Sequence, residues 1–383
     1  MSEKNLISKK DMLELLAQLS KTRTLVAPVD TGKVIEYQKI SPTEATFPDA
    51  TFPDATFPSS SNEDAKFPSS EGWHEVPGWS VTILMDDRIS YKSIKEFYFP
   101  QTELMFTFEN DNVTDHTEMP GYVIFGARPC DLEALKIMRI VYTKGQYADP
   151  FFQRRFEANL LIGIGCTKRK PECFCNEIGV NKDFSDFCDI FLTDIGDSYE
   201  IKYVSEKGRV AFPPSEGCPN AGVVFPSSEG CPKGGVVIPL PGEVALDVNK
   251  NDSTFFDIID WQKVTETCKG CGICTYVCPT CYCFDFKDVS KKGTAKRYKC
   301  WDSCMYPRFT LHASGHNPRE HRYERYRQRV LHKYKYVPNI FDGITACTGC
   351  GRCIRSCPVG INIKNIVKQI MEIAGKARND EKA

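Results

Sequence analysis

Two runs of cysteine in this chain share one spacing. From Cys268 the residues read C-x2-C-x2-C-x3-C-P through Cys271, Cys274, Cys278 and Pro279, and the pattern returns at Cys347, Cys350, Cys353, Cys357 and Pro358. Three thiolates at such short intervals wrap one four-iron, four-sulfur cubane, and the fourth, thrown clear by the longer gap and the proline, ligates the other cluster in two-cluster ferredoxins. The spacing assigns Cys268, Cys271, Cys274 and Cys357 to one 4Fe-4S cluster, and Cys347, Cys350, Cys353 and Cys278 to a second. Each half of the motif then completes the other's cluster. Zinc also accepts four thiolates, but its sites are normally built from two C-x2-C pairs across a longer loop, not from a triple. Gly270, Gly272, Gly349 and Gly351 lie between the ligands. There a missing side chain lets backbone N–H groups approach cluster sulfurs, or simply permits tight turning.

The chain has 19 cysteines in all, and a reducing compartment argues against disulfides for the rest. Cys347 follows Cys278 by 69 positions, so the module is expanded, with room for helices in the insert. That insert holds Cys281, Cys283, Cys300 and Cys304; their order lacks a triple, which favours a structural or supporting role over a further metal site. A separate group is Cys130, Cys166, Cys173 and Cys175. Cys130 closes an expected strand and opens an expected helix, where N-terminal N–H groups favour a thiolate. Cys166 follows the next strand, and a parallel pair would bring both to one sheet edge. On spacing alone, buried structural cysteines remain the simpler reading. Cys188 has no companion and reads as core.

The elements that must position these thiols can be sketched from periodicity. Residues 121–125 read as a buried strand, 131–142 as a helix with Leu132, Leu135, Met138 and Val141 inward, and 159–165 as another strand. Residues 362–378 place Ile363, Ile366, Val367, Ile370 and Met371 on one helical face, which should pack back on the cluster module. Internal repeats rich in proline, near 41–72 and 211–242, read as surface loops; Cys218 and Cys231 occupy equivalent repeat positions, which duplication explains better than ligation. The expected fold class is α+β. A mixed α/β scaffold and docking domain spans 1–255, and a mostly α-helical ferredoxin-like domain with two 4Fe-4S clusters spans 256–383.

A formal net charge of -1 conceals an asymmetry, because residues 287–335 carry fourteen Lys/Arg against four Asp/Glu. Such a segment suits a nucleic acid, an anionic cofactor, an acidic partner or a solvated helical face. Residues 1–20 show helical spacing rather than a signal peptide's apolar block, and no apolar run approaches the roughly twenty residues of a membrane span. A cytoplasmic location with no membrane insertion is expected.

With those motifs on the page, the chain resembles the dicluster 4Fe-4S ferredoxin subunit family, which includes the ferredoxin-type subunit of anaerobic sulfite reductase and the beta subunit of cytosolic nickel-iron sulfhydrogenases. The likeness is carried by Phe125-Gly126-Ala127-Arg128-Pro129-Cys130-Asp131, Cys173-Phe174-Cys175-Asn176, Cys278-Pro279-Thr280-Cys281-Tyr282-Cys283, Trp301-Asp302-Ser303-Cys304 and Gly315-His316-Asn317-Pro318-Arg319. The resemblance implies a relay of electrons between a terminal catalytic metal subunit, sulfite reductase-like or hydrogenase-like, and a flavin and NAD(P)H-binding reductase subunit. It also implies a third 4Fe-4S cluster, at positions matching Cys130, Cys166, Cys173 and Cys175. Cys300 and the repeats depart from the family pattern.

Arg319, Arg322, Arg325, Arg327 and Arg329 interleave with Tyr323 and Tyr326, as a nucleic-acid patch requires. Thiolate-bound cubanes are anionic, however, so a cationic shell around them is the simpler account, with no nucleic acid. His312, His316, His321 and His332 read as hydrogen-bonding or surface residues. No G-x-G-x-x-G fingerprint, Walker loop or catalytic constellation is visible. The alternatives are an electron-relay subunit of a carbon-metabolism reductase, such as a methylene-folate or heterodisulfide reductase complex, and a free ferredoxin-like carrier.

Overall fold

The computed structural model describes residues 5–31, 33–40, 73–74, 83–84, 89–110, 112–117, 121–144, 146–212, 257–291 and 293–380. The repeat segments, with Cys218 and Cys231, lie outside the described residues.

The N-terminal half is built on a mixed sheet. Four strands run parallel side by side, Thr24–Asp30, Tyr122–Ala127, Leu160–Ile164 and Ile190–Asp194. Antiparallel strands flank them: Ser198–Tyr203 and Leu6–Ser8 on one side, Ile35–Ile40 and two short strands on the other. The strand Tyr122–Ala127 reads as an unbroken apolar run because both of its faces are covered. Val123 and Phe125 point to a core capped by Met12, Leu16 and Leu19 of the helix Lys9–Ser20. Ile124 and Ala127 point the other way, to Leu132, Leu135 and Met138 of the helix Pro129–Thr143. Val141, expected inward, is only half-buried. Proline in the first turn starts this helix before the expected position and puts Cys130 inside that turn, one residue ahead of Asp131.

A second, four-stranded antiparallel sheet crosses between the halves of the chain. Its order is Phe284–Lys291, Thr294–Trp301, Thr102–Glu109, Asn112–Asp115. The cysteine-bearing insert therefore opens with a β-hairpin, not with helix, and that hairpin extends a strand from the N-terminal half. Buried Lys299 pairs with Glu103 at 2.8 Å, and the Trp301 indole donates to the Phe99 carbonyl at 2.9 Å while stacking on its ring. Only after the hairpin does the insert become helical, in Arg322–Leu331 and a π-helical turn, His332–Tyr336. The last helix, Ile363–Asp380, packs back on the module through Ile363, Ile366, Val367 and Ile370, against Tyr326, Val330 and Tyr334.

Candidate iron-sulfur centres

The thiols gather around separate voids. Cys268, Cys271, Cys274, Cys353 and Cys357 line one. A second is lined by Cys278, Cys347, Cys350 and Cys353. Cys130, Cys166, Cys173 and Cys175 meet at a third, where Cys350 also reaches the wall. Cys353 is thus common to the first and second voids, and Cys350 to the second and third. Among the described residues no three of His, Cys, Asp and Glu are arranged to hold a single metal ion. The thiols stand around spaces instead, which is what a multi-atom cluster needs and a lone zinc ion does not.

Sulfur receives backbone hydrogen bonds at several of these positions. Gly270 N–H donates to Cys268 Sγ at 3.4 Å and Ile361 N–H to Cys357 Sγ at 3.3 Å. Burial pushes the Cys274 and Cys350 thiols up to about 12 and Cys166 up to about 11, with Arg329, Arg352 and Arg128 respectively opposing it. Iron removes the proton outright from a coordinating thiol, so burial does not prevent ligation.

The basic segment turns its cations inward. Arg325, Arg329 and Lys333 recur every fourth residue along the helix and π-turn, and all three are buried. Arg322 and Arg329 donate to the Cys268 and Cys274 carbonyls at 2.6 and 3.1 Å, and Lys333 to Thr280 and the Ala346 carbonyl at 2.8 and 3.1 Å. Nε and Nη1 of Arg329 have no hydrogen-bond partner. Burial opposes the Arg329 charge, but the neighbouring thiols of Cys274 and Cys353 outweigh it and hold its pKa above the ordinary value. Such a cation without a carboxylate needs another anion, and bound clusters fit that requirement. His312, His316 and His321 are exposed, and His332 is half-buried with Nε2 3.2 Å from the Tyr282 hydroxyl.

The third void is formed by docking one half of the chain on the other. Phe174 N–H donates to the Gly349 carbonyl at 2.8 Å, and Cys173 Sγ lies 3.5 Å from the Cys350 carbonyl. A Cβ on Gly349 would sit 2.6 Å from the Cys175 backbone, and one on Gly351 2.6 Å from the Glu172 carbonyl. These two glycines, at φ of 60° and 72°, permit the loop carrying Cys173 and Cys175 to approach. Beside them Arg352, wholly buried, makes a two-pronged pair with Asp131 at 2.7 Å and 2.7 Å and donates to the Ser90 carbonyl at 3.0 Å.

Sequence reasoning placed Arg325 and Arg329 in a cationic shell but missed Lys333, Arg352 and Lys95. Arg352 hides between the cysteines of the second motif, and the repeat of four that joins Lys333 to Arg325 and Arg329 was masked by flanking basic residues. Lys95, which donates to the Cys281 carbonyl at 2.9 Å and lies over the Trp301 ring, has no sequence signal at all. Cys188 sits at the rim of the aromatic core, and Cys300 is held in the sheet opposite Asp285 and Thr102, lining none of the voids.

Residues 267–361 match the family model for a 4Fe-4S dicluster domain. Sulfhydrogenase 2 subunit beta of Pyrococcus furiosus is 31% identical over 288 residues, an alignment covering 73% of this chain and 82% of that relative. No solved structure matches the chain. Among the described residues no helix is long and apolar enough to cross a membrane. With the dicluster model on the cysteine-rich half and the relative spanning both halves, the chain belongs to the dicluster 4Fe-4S ferredoxin subunit family and is an iron-sulfur electron-transfer subunit of an oxidoreductase.

Proposed function

We propose that this chain relays electrons in series through three 4Fe-4S clusters, within a multisubunit cytoplasmic oxidoreductase. The observation carrying this reading is the sharing of walls: Cys353 belongs to the first and second voids, and Cys350 to the second and third. On this reading Cys268, Cys271, Cys274 and Cys357 hold one cluster and Cys347, Cys350, Cys353 and Cys278 the next. Cys130, Cys166, Cys173 and Cys175 hold the third. Each cluster, when bound, supplies a reversible one-electron couple. The protein's part is to hold the thiols, to surround negative charge with Arg329 and Lys333, and to keep water from the middle site. At the first site Cys271 is exposed, whereas the middle and third sites each have two buried and two half-buried cysteines. An exposed edge at the first site suits docking, and the relay calls for two partners: a terminal catalytic metal subunit, and a flavin and NAD(P)H-binding reductase subunit. The relative named as a sulfhydrogenase subunit favours a hydrogenase-like partner.

Purification from the native host under anaerobic conditions tests the assembly: flavin and a second metal subunit should co-purify, and an isolated monomer would refute it. For the third cluster, Cys130→Ser/Cys166→Ser should lose about four irons per chain. Unchanged iron in that variant would remove the third site. Cys278→Ser should perturb the EPR signal of the cluster at Cys347, Cys350 and Cys353. If only the cluster at Cys268, Cys271 and Cys274 responds, the crossed ligation is wrong.

A further inference from the structure

Three cysteines outside both motifs converge on a void of their own. Cys281, Cys283 and Cys304 line one recess, as the cysteines of the second and third groups line theirs. His332 lies on the same wall, and its contact to Tyr282 occupies Nε2 and leaves the other ring nitrogen. Three separated segments of the insert supply these residues: the turn after Pro279, the end of the hairpin, and the π-helical turn.

Charge also gathers at the site. Arg329 and Lys333 line this void, and Lys95 is bonded to the carbonyl of Cys281. The three are 2%, 3% and 3% exposed in the order Arg329, Lys333, Lys95, and among the described residues none forms an ion pair with a carboxylate. Arg329 also borders the first and second voids and Lys333 the second, whereas Lys95 lines none of the voids and meets this one through its bond to the Cys281 carbonyl. Burial disfavours the Lys95 charge, and Lys333 adds to that, while the thiols of Cys281, Cys278 and Cys283 favour it. A buried ammonium kept beside three cysteines, with no carboxylate, is the setting of an anionic centre.

We propose that Cys281, Cys283 and Cys304, with His332 as the fourth ligand, hold a further 4Fe-4S cluster. The site goes beyond the three-cluster series and branches from its middle, because Arg329 and Lys333 line both this void and the second, and Cys281 N–H donates to the carbonyl of Cys278 at 3.4 Å. It gives the relay a second outlet, on the side of the hairpin Phe284–Trp301.

Native mass spectrometry of the full chain, purified anaerobically or reconstituted with ferrous iron and sulfide, reads the cluster load directly. The expected load includes about four irons and four sulfides that disappear in Cys281→Ser/Cys283→Ser/Cys304→Ser. Cys130→Ser/Cys166→Ser reports on the third cluster separately, so either site can fail without the other. Should the triple variant not fold, Cys304→Ala alone is expected to leave about three irons at this site, with the EPR signature of a three-iron cluster. Iron and sulfide unchanged in both variants overturn the proposal. So does a single ion in place of a cluster, or a Cys283–Cys304 disulfide in the anaerobic protein.

Discussion

A guanidinium with unbonded N–H groups in a dry interior is costly by about 1–3 kcal/mol per group unless an anion accepts them. Arg329 is in that position, buried with Nε and Nη1 unpaired while it borders three thiol-lined voids. Removing its charge should make reduction harder, since a nearby cation stabilises the more negative, reduced cluster. For Arg329→Met, a unit charge several ångströms away at an effective dielectric of about 20 implies potentials lower by on the order of 100 mV. EPR-monitored redox titration checks this, and unchanged potentials would leave Arg329 with a packing role only. Gly351 makes a different point at the same scale. Alanine there meets both a φ of 72° and the Glu172 carbonyl 2.6 Å from its Cβ. Gly351→Ala is expected to cost about 1–2 kcal/mol of backbone strain and to release iron first from the Cys173 and Cys175 site, read by iron analysis and thermal melting.

Among the elements, two contacts join what the motifs treat as separate halves. One is the hairpin Phe284–Trp301, whose second strand lies on Thr102–Glu109. It escaped a reading by periodicity because its first strand is almost wholly exposed, with Asp285, Lys287 and Asp288 among its residues and no buried face to alternate with a polar one. The other is the junction of the ligand loop with the first turn of Pro129–Thr143, locked by Arg352 on Asp131. Breaking one side of such a pair leaves an unpaired buried charge. Arg352→Met alone should therefore cost about 3–5 kcal/mol, and Arg352→Met/Asp131→Leu distinctly less. Denaturant midpoints of the three proteins test this; a double variant as unstable as the single would show that the cost comes from lost shape rather than lost charge.

For the whole molecule, folding and cluster binding should be one event. Arg325, Arg329, Lys333 and Lys95 are buried together on the walls and supports of the cluster sites, and without bound anions they oppose the fold. Chelating the iron is expected to lower the melting temperature of the cysteine-rich half and expose its core to dye, while the mixed sheet, whose apolar core needs no metal, melts later. A single transition unaffected by chelation would contradict this. The sequence by itself determined the α+β class, the 4Fe-4S chemistry and the family, because ligand spacing is a local property: the same short intervals wrap a cluster wherever the loop is placed. It also named twelve candidate ligands. The tertiary structure alone decided that the groups adjoin through Cys353 and Cys350, why Gly349 and Gly351 carry no side chain, and where Lys95 and Arg352 lie. Those depend on segments as distant as Asp131 and Arg352, or Lys95 and Cys281, meeting in space, and no periodicity along the chain encodes a meeting of that kind. The same reason separates Cys300 from Cys281, Cys283 and Cys304: in sequence they form one group, but the sheet holds Cys300 away while the turns bring the other three together.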